Sequence, residues 1–439
     1  MIKFRKIFIE LIISSLIISL IVHPINVQSA NSSTKSKLIT VWGWPAADSA
    51  FNSVIKGFNK AYPNVKVKIV MMATADVHNK LLSSLAAKAG APDVSMIENA
   101  QIGKFKSTGG LENLLVKPYN AIELKNQFVP YAWSEALTND NRLIGLPWDI
   151  GPCTLFYRKD IFKKAGLPTE PEKVAKLLNT WDNFIEAGKK IVKSNNKVWM
   201  MSNAINLIDI YFGASSRHNF YDSSYNFILK KDEVVKVLDI AKKIRNNKLD
   251  AKVNLWTPEW QAMLKDGKIA VEIVGSWFGG FLKSWIAPQS KGVWGVTYVP
   301  ENAAYNWGGS FLAIPSQSKN KNEAWSFIKY CLADKNSQNT MFKTVDYFPA
   351  YIPAWDDDMY KEKDPYFDNQ QTKLLWIDIA KKIKNIHVTK LDPIVAQTLN
   401  EEATKAINQN INSSVVVDNA FKRIEQQTKQ DIKTLKNQK

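Results

Sequence analysis

The chain has 439 residues, 45% hydrophobic and 23% charged, too apolar for disorder and too long for one compact core, so two lobes or one large α/β domain are expected. Two Cys exclude a disulfide-dense scaffold and a Cys-rich zinc module, and four His, one of them in the leader, argue against a His-built metal site. The net charge of +17 is carried almost wholly by Lys: only six of 58 basic residues are scattered Arg, whereas base and phosphate readers favour the planar Arg fork, so a solvated surface rather than nucleic-acid binding is expected.

At the start of the chain Lys3, Arg5 and Lys6 precede an apolar stretch, Ile7 to Val22, followed by Pro24 and the small residues Ser29 and Ala30. A basic region, a short apolar core and Val27-Gln28-Ser29 as a cleavage box predict a secretory signal peptide over 1–30. Leu11 to Val22 is short for a membrane span, and no Cys follows it to carry a lipid. The mature protein is expected outside the cytoplasmic membrane.

After a polar linker at 31–37, Leu38 to Trp42 reads as a strand, and Phe51, Val54, Ile55 and Phe58 stand at helical spacing until Pro63. Val65–Val70 alternates as a second strand. Val77, Leu81, Leu82 and Leu85 define a second helix, Asp93–Ile97 a third strand, and Gly109-Gly110 closes the next helical piece. This β-α-β-α-β succession predicts a sheet with helices on its faces and a ligand crevice beyond the carboxyl ends of the strands, where Trp42, Gly43, Trp44, Glu98 and Asn99 fall. Further on, Leu143–Leu146 and Thr154–Arg158 read as two strands joined by an extended connector, Trp148 to Gly151, bracketed by Pro147 and Pro152. Thr180 is placed to cap a helix. A Lys-rich helix is expected over 232–247, strands over 269–273, 294–299 and 311–314, a helix around Trp325, and a mostly helical end over 370–438.

Several chemistries lose their usual carriers. The chain has no phosphate-binding loop, dinucleotide fingerprint, HExxH or GxSxG motif. Asp356-Asp357-Asp358 reads as a solvated helix start rather than a calcium loop, and Cys153 and Cys331 as two buried free thiols. No catalytic residue, cofactor or metal is expected. The positive signal is aromatic: Trp42, Trp44, Trp148, Trp256, Trp277, Trp307, Tyr351 and Trp355 fall at strand ends, connectors or loop edges. Sugars present an apolar C–H face that stacks on such rings, while their hydroxyls take planar carboxylate and amide partners. Asp48, Glu98, Asn99, Asp149 and Asn206 are the polar candidates, with Gly308 and Gly309 beside Trp307.

The order and spacing of several segments resemble the family 1 extracellular solute-binding proteins of carbohydrate ABC transporters, the group around maltose-binding protein. They are Ile39–Trp44, Ala91-Pro92-Asp93-Val94, Gly109-Gly110-Leu111, Leu146–Pro152, Phe156 to Asp160, Ala165-Gly166-Leu167-Pro168, Thr180-Trp181-Asp182, Val274–Trp277, Asn306–Gly309 and Leu312–Pro315. The resemblance implies an α/β, two-lobe periplasmic-binding-protein fold of type II-like form, with a ligand cleft between lobes and crossovers near 147–153, 299–306 and 343–354. The expected division is 31–147 plus 300–345 for one lobe and 148–299 plus 346–439 for the other. Trp277 matches the family's C-lobe Trp, and Trp42–Trp44 its first-strand loop. Where relatives offer an acidic or aromatic contact, residues 203–209 read Asn-Ala-Ile-Asn-Leu-Ile-Asp, with Asn206 put forward. The implied function is a monomeric receptor that closes on an oligosaccharide and delivers it to the permease of an ABC importer, without catalysis. A secreted carbohydrate-active enzyme and an envelope-binding adhesin are the competing readings.

Overall fold

The computed structural model describes residues 36–212, 215–216 and 219–437, and the leader expected over 1–30 lies outside them. Three strands, β1 (Lys37–Gly43), β2 (Val65–Met71) and β3 (Val94–Glu98), form a parallel sheet in the order β2-β1-β3. The helices Asp48–Ala61 and Thr74–Ala87 connect them, as the apolar spacing predicts. Phe51, Val54 and Phe58 form the buried face of the first helix, and Val77, Leu81 and Leu85 that of the second.

The central strand β4 (Leu146–Arg158) belongs to both halves of the molecule. Its first half runs antiparallel to β9 (Asn306–Ala313), which itself runs antiparallel to β3. Its second half pairs with β7 (Ile269–Gly275) and β8 (Trp294–Thr297), and β5 (Trp199–Met201) adds parallel to β7. Two short strands, β6 (Ser215–Ser216) and β10 (Phe348–Pro349), pair with β9 and β4.

β4 merges the expected connector and second strand into one continuous strand of 13 residues that starts at Leu146, whereas Leu143, expected to open the first strand, makes only an isolated bridge to Leu137. Proline removes a ladder donor and is tolerated in a sheet where the ladder is irregular. Here the β4–β9 register shifts between Pro147 and Asp149 and again between Ile150 and Pro152, so both prolines sit at such irregularities. β9 likewise begins earlier than expected, because Asn306 to Gly309 pairs with β4 or β6.

Two hydrophobic cores meet along β4 and β9. Trp148 and Ile150 lie in the first core, Cys153 and Leu155 in the second; Phe311 lies in the first and Trp307 in the second. Within 347–380 the chain feeds both cores: Tyr366 and Phe367 pack in the second, whereas Tyr347, Phe348, Tyr351, Trp355, Tyr360 and Trp376 pack in the first. The cause is a shared aromatic cluster, with Phe348 centred 5.4 Å from Phe342 and 5.8 Å from Trp376. From Leu391 onward the chain joins the second core through the helices Asp392–Gln409 and Ser413–Asn437.

Local expectations hold at several points. Thr180 Oγ1 accepts from the Asn183 amide at 3.2 Å, capping the helix Trp181–Ser194. Asp357 caps the short helix Asp358–Lys361, accepting from the Met359 amide at 3.0 Å. Cys153 and Cys331 are both buried, in different cores. Among the described residues no helix is long and apolar enough to cross a membrane.

Candidate ligand-binding cleft

A cleft of about 790 Å³ opens where the two cores meet. Its floor is the β4–β9 ladder: Asp149 pairs with Ser310, and Ile150 with Gly309. Strand alternation turns Asp149 into the cleft while Trp148 and Ile150, on either side of it, point into the first core. From the first lobe come Trp44, just beyond the end of β1, and Glu98, at the end of β3. Asn206 and Asp209, from the helix Asn206–Phe212, and Asn254 to Trp256 face them.

Trp277 is the central ring. Three glycines receive its indole, for a Cβ on Gly275, Gly308 or Gly151 would lie 2.4, 2.8 or 2.9 Å from Nε1. Within that cup Nε1 donates to the Trp307 carbonyl at 2.7 Å. The ring centroid lies 5.6 Å from that of Trp256 and 5.4 Å from that of Phe281, and Trp277 packs against both cores. Trp256 is 48% exposed, so an aromatic face remains open to the cleft. On the opposite wall Trp44 Nε1 donates to the Tyr347 hydroxyl at 3.4 Å.

The cleft lining contains Glu98, Asp149 and Asp209 and no Lys, Arg or His among the described residues. Burial pushes all three carboxyls above their ordinary range. Beneath Glu98, burial foremost and the Lys104 charge second lower His78 to about 4. The neutral imidazole accepts from the Glu98 amide through Nε2 at 3.0 Å. Asp209 Oδ1 accepts from Asn400 Nδ2 at 3.0 Å, which partly offsets its burial. The walls therefore combine aromatic faces with carboxyl and amide groups, a surface for an uncharged molecule rich in hydroxyls or for a cation, and a poor one for an anion.

Asp149 makes this electrostatics testable. Burial raises its carboxyl to about 7, with the nearby Glu98 charge adding to the rise and the Ser310 hydroxyl opposing it. In an unfolded chain an Asp titrates near 3.9, so between about 4 and 7 the folded protein holds a proton that the unfolded one releases. The stability this group contributes is complete below about pH 4 and is lost as pH rises through about 7. Asp149→Asn keeps an oxygen for Ser310 and is expected to flatten that part of the decline. Melting temperatures of both proteins from about pH 4 to 8 provide the check. Identical slopes would remove Asp149 as its source.

Of the residues put forward from sequence, the cleft gathers Trp44, Glu98, Asp149, Asn206, Trp256, Trp277, Trp307, Gly308 and Gly309. Six others do not line it. Trp42 is buried under Lys80, whose Nζ lies 4.7 Å from its ring. Asp48 is exposed in the first turn of its helix, where a carboxylate complements the helix dipole. Asn99 is buried behind Glu98 and donates to Glu135 Oε2 at 2.5 Å. Trp148 is core, centred 4.9 Å from Phe51 and 5.6 Å from Tyr347. The Tyr351 hydroxyl donates to Gln127 Oε1 at 2.7 Å, and Trp355 Nε1 to the Pro349 carbonyl at 3.0 Å, so both belong to the first core. Sequence reasoning missed Tyr347, Phe281, Asp209, Asn254, Asn400 and Thr404. Asn400 and Thr404 stand four apart on the buried helix Asp392–Gln409, a polar pair on one face that is a faint signal without its surroundings.

The sequence pattern of the bacterial extracellular solute-binding proteins matches residues 53–405. The chain belongs to this family. The arabinooligosaccharide-binding protein of Bacillus subtilis (strain 168) is 24% identical to this solute-binding protein over 427 residues, covering 94% of each chain. The lactose-binding protein of Rhizobium radiobacter is 26% identical over 350 residues, 76% of this chain and 79% of its own. A solved structure of the ABC transporter associated binding protein from B. animalis subsp. lactis Bl-04, in complex with beta-1,6-galactobiose, has a TM-score of 0.72 at 23% identity. It covers 90% of this chain and 98% of its own, and it shares the two-lobe fold.

Proposed function

We propose that this solute-binding protein is an exported receptor that captures a neutral oligosaccharide between its lobes and presents it to the membrane permease of an ABC importer. The observation that carries this reading is the composition of the cleft. Trp44, Trp256, Trp277 and Trp307 stand among Glu98, Asp149, Asp209, Asn206 and Asn254, with no basic side chain in the lining among the described residues. Aromatic rings take the apolar faces of a sugar, and carboxyl and amide groups take its hydroxyls. The relatives named for arabinooligosaccharides and lactose support the same ligand class.

In this reading nine of the sequence-proposed residues touch the ligand: Trp44, Glu98, Asp149 and Asn206, Trp256 and Trp277, and Trp307 with Gly308 and Gly309. The lobes move as bodies about β4, β9 and β10, which lie side by side where the cores meet. A ligand that touches both lobes draws them together only by its higher affinity for the closed form. The receptor acts as a monomer and releases its saccharide unchanged.

A thermal-shift screen tests the reading. Neutral oligosaccharides are expected to raise the melting temperature, since a ligand at a hundredfold excess over its Kd stabilises the folded state by about 2.7 kcal/mol. Uronic-acid oligosaccharides of equal length are expected to leave it unchanged. The radius of gyration should fall as the neutral ligand saturates, and chromatography should recover that ligand intact. Stabilisation by the anionic series alone, or hydrolysis abolished by substituting one carboxylate, would overturn the proposal.

A further inference from the structure

Trp277, Phe281 and Trp285 recur every fourth residue. The first turn, Phe278–Phe281, is α-helical and passes into a π turn at Leu282–Ile286. Residues four apart on a helix stand one above the other, and here the rings touch in series: Trp277 to Phe281 at 5.4 Å between centroids and Phe281 to Trp285 at 5.5 Å. Trp256 joins at the inner end, 5.6 Å from Trp277 and 6.3 Å from Phe281. Trp277 and Phe281 line the cleft, whereas Trp285 does not.

Exposure along this series is uneven. Trp277 and Phe281 are partly buried, and Trp285 is 48% exposed. The other large exposed apolar side chains among the described residues are aliphatic except for Trp256, which also contacts Phe281. The two largely exposed indoles thus stand in one place, continuous with the cleft, where scattered single residues would call for no explanation. The backbone under Trp285 is held firmly. Leu282 and Ile286 are buried, Ser284 Oγ donates to the Gly280 carbonyl at 2.7 Å, and Lys283 pairs with Asp346 and, at 3.3 Å, with Asp364. A ring presented from such a turn loses little freedom when a ligand covers it.

We infer that Trp285 is an outer stacking site for a further ring of a linear, neutral oligosaccharide that emerges from the cleft along the Trp277–Phe281–Trp285 series, so that this receptor favours longer saccharides over disaccharides. The inference rests on the saccharide reading above and adds to it a chain-length preference and the residue that sets it.

Calorimetric titration of the full protein with arabinooligosaccharides and galactooligosaccharides, each as the disaccharide and as longer homologues, tests it. The longer homologue is expected to bind about tenfold more tightly, the scale of one aromatic stacking contact. Trp285→Ala is expected to erase that increment while leaving disaccharide affinity and melting temperature unchanged, and Trp285→Phe to restore most of it. A variant that keeps the wild-type increment, or that weakens short and long homologues alike, overturns the inference and leaves saccharide binding standing. Failure of both series to bind wild-type protein, while a ligand of another class does bind, overturns the saccharide reading and the inference with it.

Discussion

Replacing Trp277 with Ala is expected to lower saccharide affinity by at least tenfold and to destabilise the protein as well. The binding loss follows from removing the ring at the centre of the Trp256–Phe281 contacts, since a stacking platform is worth about 1–3 kcal/mol. The stability loss follows from its seat. The indole fills a space bounded by Gly151, Gly275 and Gly308, none of which has a side chain that can move in, and its Nε1 bond at 2.7 Å satisfies the Trp307 carbonyl. Truncating a partly buried Trp in such a site costs about 3 kcal/mol. Trp277→Phe separates the two effects. It keeps an aromatic face but leaves that carbonyl without its donor, so it should retain most of the affinity at a stability cost of about 1 kcal/mol. Calorimetry and urea unfolding of both variants provide the measurements, and wild-type affinity in the Ala variant would show that Trp277 is not a ligand platform.

Gly309→Ala is expected to be more damaging than its single added methyl suggests. Gly309 has φ of +102°, outside the region that side chains tolerate, and a Cβ there would lie 2.5 Å from the Asp149 carbonyl oxygen. Neither obstacle is the end of a flexible side chain. Relieving the clash means parting β4 from β9 where Ile150 faces Gly309, and that shifts Asp149 and Trp307 together. Strain of this kind costs about 1–3 kcal/mol before the clash is added, so a total of about 3 kcal/mol or more is expected, with weakened ligand binding. Gly166→Ala supplies the comparison: φ is +70° there, but nothing lies within 4 Å of the added Cβ. It should cost about 1 kcal/mol and leave binding intact. Equal urea midpoints for the two variants would refute the close-approach argument.

Local sequence was enough to place most elements, because the forces that set them are local. The spacing of Phe51, Val54 and Phe58 defines the buried face of a helix with no knowledge of what it packs against, and Thr180 caps its helix through an amide three residues away. The Lys-rich helix and the Trp277 loop among glycines are legible for the same reason. Facing was not. Trp42 and Trp44 are two residues apart and equally aromatic, yet one lies beneath Lys80 and the other reaches the cleft, because the strand ends between them at Gly43. The choice of Asp149 over Trp148 as a cleft residue depends on the pairing of β4 with β9, formed across more than 150 residues of chain, since strand alternation assigns sides only once the partner is known. Tyr347, Asn400 and Thr404 reach the cleft from segments distant in sequence, and Tyr351 and Trp355 are drawn into the first core by Gln127 and Pro349. Periodicity reports that a residue is buried or exposed on its own element; which surface it meets is decided only when two lobes close around a common strand.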